Sequence, residues 1–357
     1  MAKRRGKPKA SPGLVLLAAA LAAAVLLWQT LSGTAQPDAA RAVPEGELDV
    51  WFLDVGQADA SLIVCDGEAM LIDGGNVDDA SYVVASLEES GVTSLAYVVN
   101  THCDEDHVGG LAGVLAKFPA EHIWSSTTEY STKAFSNFVK YAGAQGREIE
   151  VPSPGDTVSL GDAEVTVLGP LRDYGNNNEN SIVLRIDYGE TSFLFTGDMG
   201  ITAEDELVEA GARLDATVLK VGHHGSAGST GYVFLREVMP EYGVISVGTG
   251  NSYGHPTDAA LSRLLDAEVT LFRTDLQGVV HAASDGTVVH FDTERTATQG
   301  QINPTIDAPA EVYVGNIHSQ IFHVSSCRSC PAEKNAVQFD SVWDAMRAGY
   351  RAHSCVE

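Results

Sequence analysis

Seven residues constrain this chain more than any others: Thr101-His102-Cys103-Asp104-Glu105-Asp106-His107. The apolar run Leu95-Ala96-Tyr97-Val98-Val99 before them reads as a buried strand. Gly109-Gly110 and residues 111–118 after them read as a turn into a helix. A strand that ends in metal-competent side chains and turns into a helix is where an α/β protein would place a reaction centre. In an extended loop alternate residues point the same way, so His102 and Asp104 can share one ion. Asp106 and His107 are adjacent and point elsewhere, towards a second. Imidazole with carboxylate suits zinc, iron or manganese, and the oxygen share favours manganese more than an all-histidine set would. Cys103 reads as a small packed side chain.

The same kind of ending recurs downstream. Residues 192–196 lead to Gly197-Asp198, 216–221 to Gly222-His223-His224-Gly225-Ser226, and 243–247 to Asn251-Ser252-Tyr253-Gly254-His255-Pro256. A carboxylate such as Asp198 can bridge two cations. One of His223 and His224 would complete the second ion's ligands while the other faces substrate, and His255 shares the strand-end pattern. Further strands are expected at 48–55, 61–64, 70–72, 122–124, 156–160, 163–168, 181–188, 268–272 and within 278–291. Helices are expected at 81–90, 133–144 and 203–209. Two β-rich halves with helices between strands imply two mixed sheets covered by helices.

The 357 residues, 44% hydrophobic and 20% charged, suit one large domain, or one large and one small. Lys3, Arg4, Arg5, Lys7 and Lys9 precede an apolar run at 14–28. Residues 1–30 therefore read as a signal peptide or membrane anchor, which places the rest outside the cytoplasmic membrane, in membrane contact if uncleaved. Residues 31–47 read as a linker. The net charge of −26 opposes non-specific binding to nucleic acid and suits a soluble exported protein. It does not exclude a nucleic-acid substrate, because bound cations reset the local field at a metal site.

Of the five cysteines, Cys65 and Cys103 lie in the main domain. Cys327, Cys330 and Cys355 cluster with His323 and His353 in a small module at 311–357, after a linker at 296–310. That spacing gives either one structural zinc site or a Cys327–Cys330 disulfide.

Several motifs stand in a telling order: Asp54-Val55-Gly56-Gln57, Thr101-His102-x-Asp104-x-Asp106-His107, Asn180-Ser181-Ile182-Val183, Phe195-Thr196-Gly197-Asp198, Lys220-Val221-Gly222-His223-His224-Gly225-Ser226 and Tyr253-Gly254-His255-Pro256. Together they resemble the metallo-β-lactamase superfamily. More narrowly they resemble the extracellular hydrolase domain of ComEC-type competence DNA-uptake proteins and its free-standing relatives. The resemblance implies an α/β fold, an αββα sandwich over 48–295, holding one or two ions of zinc or manganese. One ion would sit on His102 and Asp104, a second on Asp106, His107 and His223, with Asp198 between them. Two departures mark the first ion's set: Asp104 stands where histidine is common, and the histidine expected before the bridging aspartate is replaced by the Asn176–Asn180 region. The tail resembles small cysteine-rich modules ending Gly-Tyr-x-Pro-Cys-x-x-Cys, with His353 and Cys355 in an altered ending. The expected activity is that of an exported hydrolase using metal-activated water on phosphodiester bonds, of DNA or RNA among others. Asp106 would orient the water, and His224 or His255 would bind or protonate the leaving group. Acyl or β-lactam hydrolysis, and a non-enzymatic uptake or DNA-binding role around a vestigial site, are the alternatives. The sequence names no protein partner.

Overall fold

Two seven-stranded sheets face each other across an apolar layer. The structure is a computed structural model that describes residues 47–304, 312–353 and 355–356. The signal or anchor segment, the linker up to residue 46 and residues 305–310 of the second linker lie outside the described residues. Among the described residues no helix is long and apolar enough to cross a membrane.

The first sheet contains β1 (Leu48–Phe52), β2 (Ser61–Cys65), β3 (Glu68–Ile72), β4 (Leu95–Asn100) and β5 (Ala120–Ser125). The second contains β6 (Thr157–Leu160), β7 (Ala163–Gly169), β8 (Val183–Tyr188), β9 (Thr191–Phe195), β10 (Val218–Lys220), β11 (Tyr242–Ile245) and β12 (Thr270–Arg273). The chain then returns to the first sheet as the hairpin β13 (Val280–Ser284) and β14 (Val289–Thr293), giving the orders β14-β13-β1-β2-β3-β4-β5 and β12-β11-β10-β9-β8-β7-β6. The single strand expected at 278–291 is thus two, broken by a turn at Asp285-Gly286.

Period-two alternation builds the layers. Leu48, Val50 and Phe52 of β1 face inward to meet Phe193 and Phe195 of β9, with the Phe52 and Phe195 rings 5.9 Å apart. Outward-facing Val98 and Leu95 pack under α1 (Ala80–Glu89), α2 (Glu105–Val108), α3 (Leu111–Lys117) and α4 (Lys133–Ala144). Leu194 and Leu219 pack on the opposite side under α5 (Ile201–Glu209), α6 (Tyr232–Val238) and α7 (Asp258–Asp266). The result is the expected αββα sandwich.

Short helices α8 (Thr274–Gln277) and α9 (Gln299–Ile302) follow. The second falls in the stretch read as a linker, yet Ile302 is buried and Asn303 donates to the Leu261 carbonyl at 2.9 Å. The tail forms a four-stranded sheet, β17-β15-β16-β18, from β15 (Tyr313–Asn316), β16 (Ile321–Val324), β17 (Ala336–Phe339) and β18 (Arg351–Ala352). Its helix α10 (Val342–Arg347) inserts Trp343 into the cluster formed by Phe234, Leu261 and Leu264.

Candidate metal centre

All the strand-end residues converge at one edge of the sandwich. His102 follows β4, Asp198 follows β9, His223 and His224 follow β10, and the loop after β11 carries His255. The parallel pairings β9–β10 and β10–β11 bring three of these ends side by side. The loop after β4 is only partly extended: Asp104 has extended dihedrals, and Glu105–Val108 then make one helical turn. Successive residues on a helix diverge by about 100°, so Asp106 and His107 leave the backbone in different directions. Gly110 lets this turn lie against Gly74, since a Cβ there would meet the Gly74 carbonyl oxygen.

Each buried imidazole is fixed by a partner at its Nδ1. His107 Nδ1 donates to Asp73 Oδ2 at 2.7 Å. His224 Nδ1 donates to the Ser246 carbonyl at 2.9 Å. Thr101 Oγ1 gives its proton to Asp73 Oδ2 at 2.7 Å, so it can accept from His102 Nδ1 at 3.2 Å. All three rings therefore present an Nε2 lone pair to the same space. His107 Nε2 lies 3.3 Å from Asp198 Oδ1, His224 Nε2 3.4 Å from Asp106 Oδ2, and His102 Nε2 3.6 Å from Asp104 Oδ2 and 4.0 Å from Asp198 Oδ2. His102 Nε2, His107 Nε2, His224 Nε2 and Asp198 Oδ1 are buried with no hydrogen-bond partner. Leaving one such atom unpaired costs about 1–3 kcal/mol, so four turned towards one another describe a receptor for cations. The donor set, imidazole nitrogen and carboxylate oxygen, fits a divalent metal.

The electrostatics agree. Burial alone would raise Asp106, but the close approach of His224 and the charges of His107 and His224 hold its carboxyl down to about 2. Asp198 is held well below the carboxylate range, with burial opposing and His107 and His224 prevailing. Burial would lower His107 and His224, yet Asp198 and Asp73 raise the first, and Asp198 and Asp59 the second. The space favours positive charge.

The arrangement changes one expected assignment. His224, not His223, lies beside Asp106 and His107. His223 is about one-third exposed, with its Nε2 3.5 Å from Asp198 Oδ2, the oxygen nearest His102. The two side chains part because His223 and His224 both adopt left-handed backbone angles (φ 48° and 52°) before Gly225. His223 thus supplies a nitrogen on the side where Asp104 and the missing histidine left the first set poor. His255 lines the cleft above, its ring 5.6 Å from His223 and stacked at 5.8 Å on exposed Tyr253. Burial, and then His223 and His224, lower its pKa, so it enters the cleft neutral.

Sequence reasoning missed Asp59, Asp73 and Lys220. Lys220 Nζ donates to Asp59 Oδ2 at 2.8 Å, both buried, and Asp59 Oδ1 lies 3.6 Å from His224 Nδ1. Each carried a signal: Asp73 ends an apolar strand before two glycines, Asp59 sits between alanines, and Lys220 ends an apolar run. Asp54 points away, pairing with Arg295 at 3.0 Å. Cys103 is fully buried beside Asn100, as read, and burial pushes its thiol up to about 11. In the tail, His323, Cys327, His353 and Cys355 come together, while Cys330 lies outside that group.

Residues 53–249 match the metallo-beta-lactamase superfamily. The chain belongs to that superfamily. It is 29% identical over 255 residues to ComE operon protein 3 of Bacillus subtilis, covering 66% of this chain and 33% of the relative. It is 35% identical over 241 residues to competence protein ComA of Neisseria gonorrhoeae, covering 67% and 33%. It is 30% identical over 237 residues to recombination protein 2 of Haemophilus influenzae, covering 64% and 28%. The chain thus spans about a third of the length of these curated relatives, and the expected kinship with competence proteins holds. The superfamily implies a divalent metal, usually zinc, and the residues here fit one.

Proposed function

We propose that this chain is an exported hydrolase of phosphodiester bonds, dependent on divalent metal held at the strand ends. The observation that carries the reading is the convergence of three Nε2 lone pairs with Asp198, which together with His224 lines an open cleft of about 630 Å³. His102, Asp104, Asp198 and His223 would hold one ion, and Asp106, His107, His224 and Asp198 the other. Bound there, the metal supplies Lewis acidity that activates water and offsets charge on a reacting oxyanion.

The chain's own groups do the rest. Asp73, Ser246 and Thr101 hold the three imidazoles in the ligating tautomer. Gln57 Oε1 accepts from the Gly248 amide at 3.1 Å, which leaves its NH2 as a donor for a substrate oxygen at the cleft wall. Asn76 and Asn178 line the same wall, and His255 with Tyr253 forms the rim where a leaving group exits. Asp106 and His224 are committed to the metal side, so binding of the leaving group falls to His255. No lining residue is lysine or arginine. An anionic substrate is therefore held at its reacting phosphate, and flanking phosphates contribute little. The oxygen-rich set around Asp104 and relatives named for competence and recombination favour a nucleic-acid phosphodiester over an acyl substrate. Export is supported by the basic patch and apolar run at residues 1–30.

The test is a substrate panel: single- and double-stranded DNA, RNA, bis-p-nitrophenyl phosphate and nitrocefin, each with manganese and with zinc. Phosphodiester turnover is expected, lost in Asp106→Ala and His224→Ala. Turnover of nitrocefin alone, or no metal in the main domain after purification without chelators, overturns the reading.

A further inference from the structure

The C-terminal module has little core of its own. Tyr313, Phe322, Val342, Ala345 and Met346 are its buried cluster. A cluster of that size does not offset the ordering of residues 312–353, and small units of this kind are closed by disulfides or by metal. No disulfide is present among the described residues.

We infer that His323, Cys327, His353 and Cys355 form a second metal site, a tetrahedral zinc centre that closes the module, and that Cys330 takes no part in it. The topology assembles the four. His323 lies on β16 and Cys327 in the loop after it. The parallel pairing of β18 with β16, Ile321 opposite Arg351 and Phe322 opposite Ala352, then delivers His353 and Cys355 to the same end. One ligand atom from each residue lies within 4.8 Å of the others. Cys355 Sγ is 3.9 Å from His323 Nδ1 and Cys327 Sγ is 4.0 Å from His353 Nδ1. Zinc–sulfur and zinc–nitrogen bonds of about 2.3 and 2.0–2.1 Å at a tetrahedral angle set such pairs about 3.6 Å apart, so only a small contraction is needed. The two rings are 4.3 Å apart; the Cys355 amide, which reaches His353 Nδ1 at 3.2 Å, would give up that nitrogen's lone pair to the ion.

Two hydrogen bonds distinguish the cysteines. The Ser329 amide donates to Cys327 Sγ at 3.4 Å, which suits a thiolate. Cys330 Sγ instead donates to the Val324 carbonyl at 3.2 Å, which requires a protonated thiol turned away from the group. The sequence spacing alone made Cys330 an equal candidate, and the geometry removes it. The centre would fix the tail sheet beneath α10, whose Trp343 docks against α6 and α7.

Sulfur makes the site separately observable. The main-domain centre offers only imidazole and carboxylate, with Cys103 outside its ligand set. The full chain, purified with a non-thiol reductant and without chelators, is loaded with cobalt(II) and read for the thiolate-to-cobalt charge-transfer band and tetrahedral d–d bands. The wild type should show both. Cys327→Ser and Cys355→Ser should lose the charge-transfer intensity and one equivalent of zinc per chain. Cys330→Ser should keep both, and His353→Cys should retain tetrahedral binding with a stronger charge-transfer band, which guards against loss through misfolding. His102→Ala should leave the band intact while depleting the main-domain centre, so failure here and failure of the proposed activity are separable. Absence of the band in the wild type, its loss in Cys330→Ser, or a Cys327–Cys355 disulfide found by mass spectrometry in protein lacking tail zinc overturns the inference.

Discussion

Lys220 is a charged residue in a wholly buried strand, and replacing it by methionine tests how the site is supported. Its Nζ donates to Asp59 Oδ2 at 2.8 Å and to the Val221 carbonyl at 3.2 Å, with side-chain exposures of 3% for Lys220 and 6% for Asp59. At that distance and an effective dielectric of about 20, the attraction is about 6 kcal/mol. Desolvation of the two ions offsets most of it, so the intact pair adds little net stability. Removing one member is different. Lys220→Met keeps the stem and strands Asp59, whose carboxyl burial alone would raise and which Lys220 first, then His224 and His107, hold below the ordinary range.

The expected cost is about 3–5 kcal/mol at neutral pH. The measurement is urea unfolding followed by tryptophan fluorescence, with the slope checked for constancy. The double variant Lys220→Met with Asp59→Leu removes both charges and should recover most of the loss. The pH dependence has a definite sign. Without Lys220 the folded-state pKa of Asp59 rises, so the deficit is full above that pKa and shrinks as acid protonates the carboxyl. A single-variant loss below about 1 kcal/mol, the range of exposed pairs, would refute the reasoning. So would a double variant no more stable than the single.

Asp73→Ala removes the acceptor that sets the His107 tautomer and should weaken metal binding in the main domain about 10–100-fold, measured by competition with a chromogenic chelator. Glu204 accepts from the Thr230 and Gly231 amides, yet burial dominates and raises it from 4.5 to about 7. Its unfolded form therefore loses a proton first, and stability should fall as pH rises from 4.5 to 7, by an amount of order 3 kcal/mol, then level off. Urea midpoints across that range should slope less in Glu204→Gln. Cys65 and Cys103 are buried with thiols raised to about 11, so iodoacetamide at pH 8 should leave both unlabelled in the native state and label both in urea, read by peptide mass spectrometry.

The positions of the ligands were legible because a strand end is a sequence signal. An apolar run that stops at His102, Asp198 or His223-His224 says where side chains leave the sheet, and parallel neighbours put those ends together. The orienting partners of His107 and His224 were not legible, because they come from other strand ends. Ser246 lies 22 residues from His224 and Asp73 lies 34 from His107, whereas Thr101, which holds His102, is its chain neighbour. Only the strand order makes the first two pairs neighbours. Asp54 shows the reverse: it belongs to a recognisable motif, yet its partner Arg295 is 241 residues away and draws it out of the site.

The division of labour between His223 and His224 could not have been read from the dipeptide. Two adjacent histidines in extended backbone would point to opposite faces, and only one could reach the centre. Here both residues sit in the left-handed region, at a cost of about 1–3 kcal/mol each. Fixed contacts offset that cost. The His223 amide donates to the Gly197 carbonyl at 3.1 Å, the Ser226 amide to the His223 carbonyl at 2.9 Å, and the Thr257 amide to the Gly225 carbonyl at 2.9 Å. Arg263 adds donors to the Thr230, Ala227 and Ser229 carbonyls of the same loop. The strain buries His224 behind Asp106 while His223 stays at the cleft, so both rings reach Asp198 Oδ2, at 3.8 and 3.5 Å. A histidine pair in this backbone can serve both halves of a two-ion centre, which is how a chain with Asp104 in place of histidine still offers nitrogen on each side of Asp198.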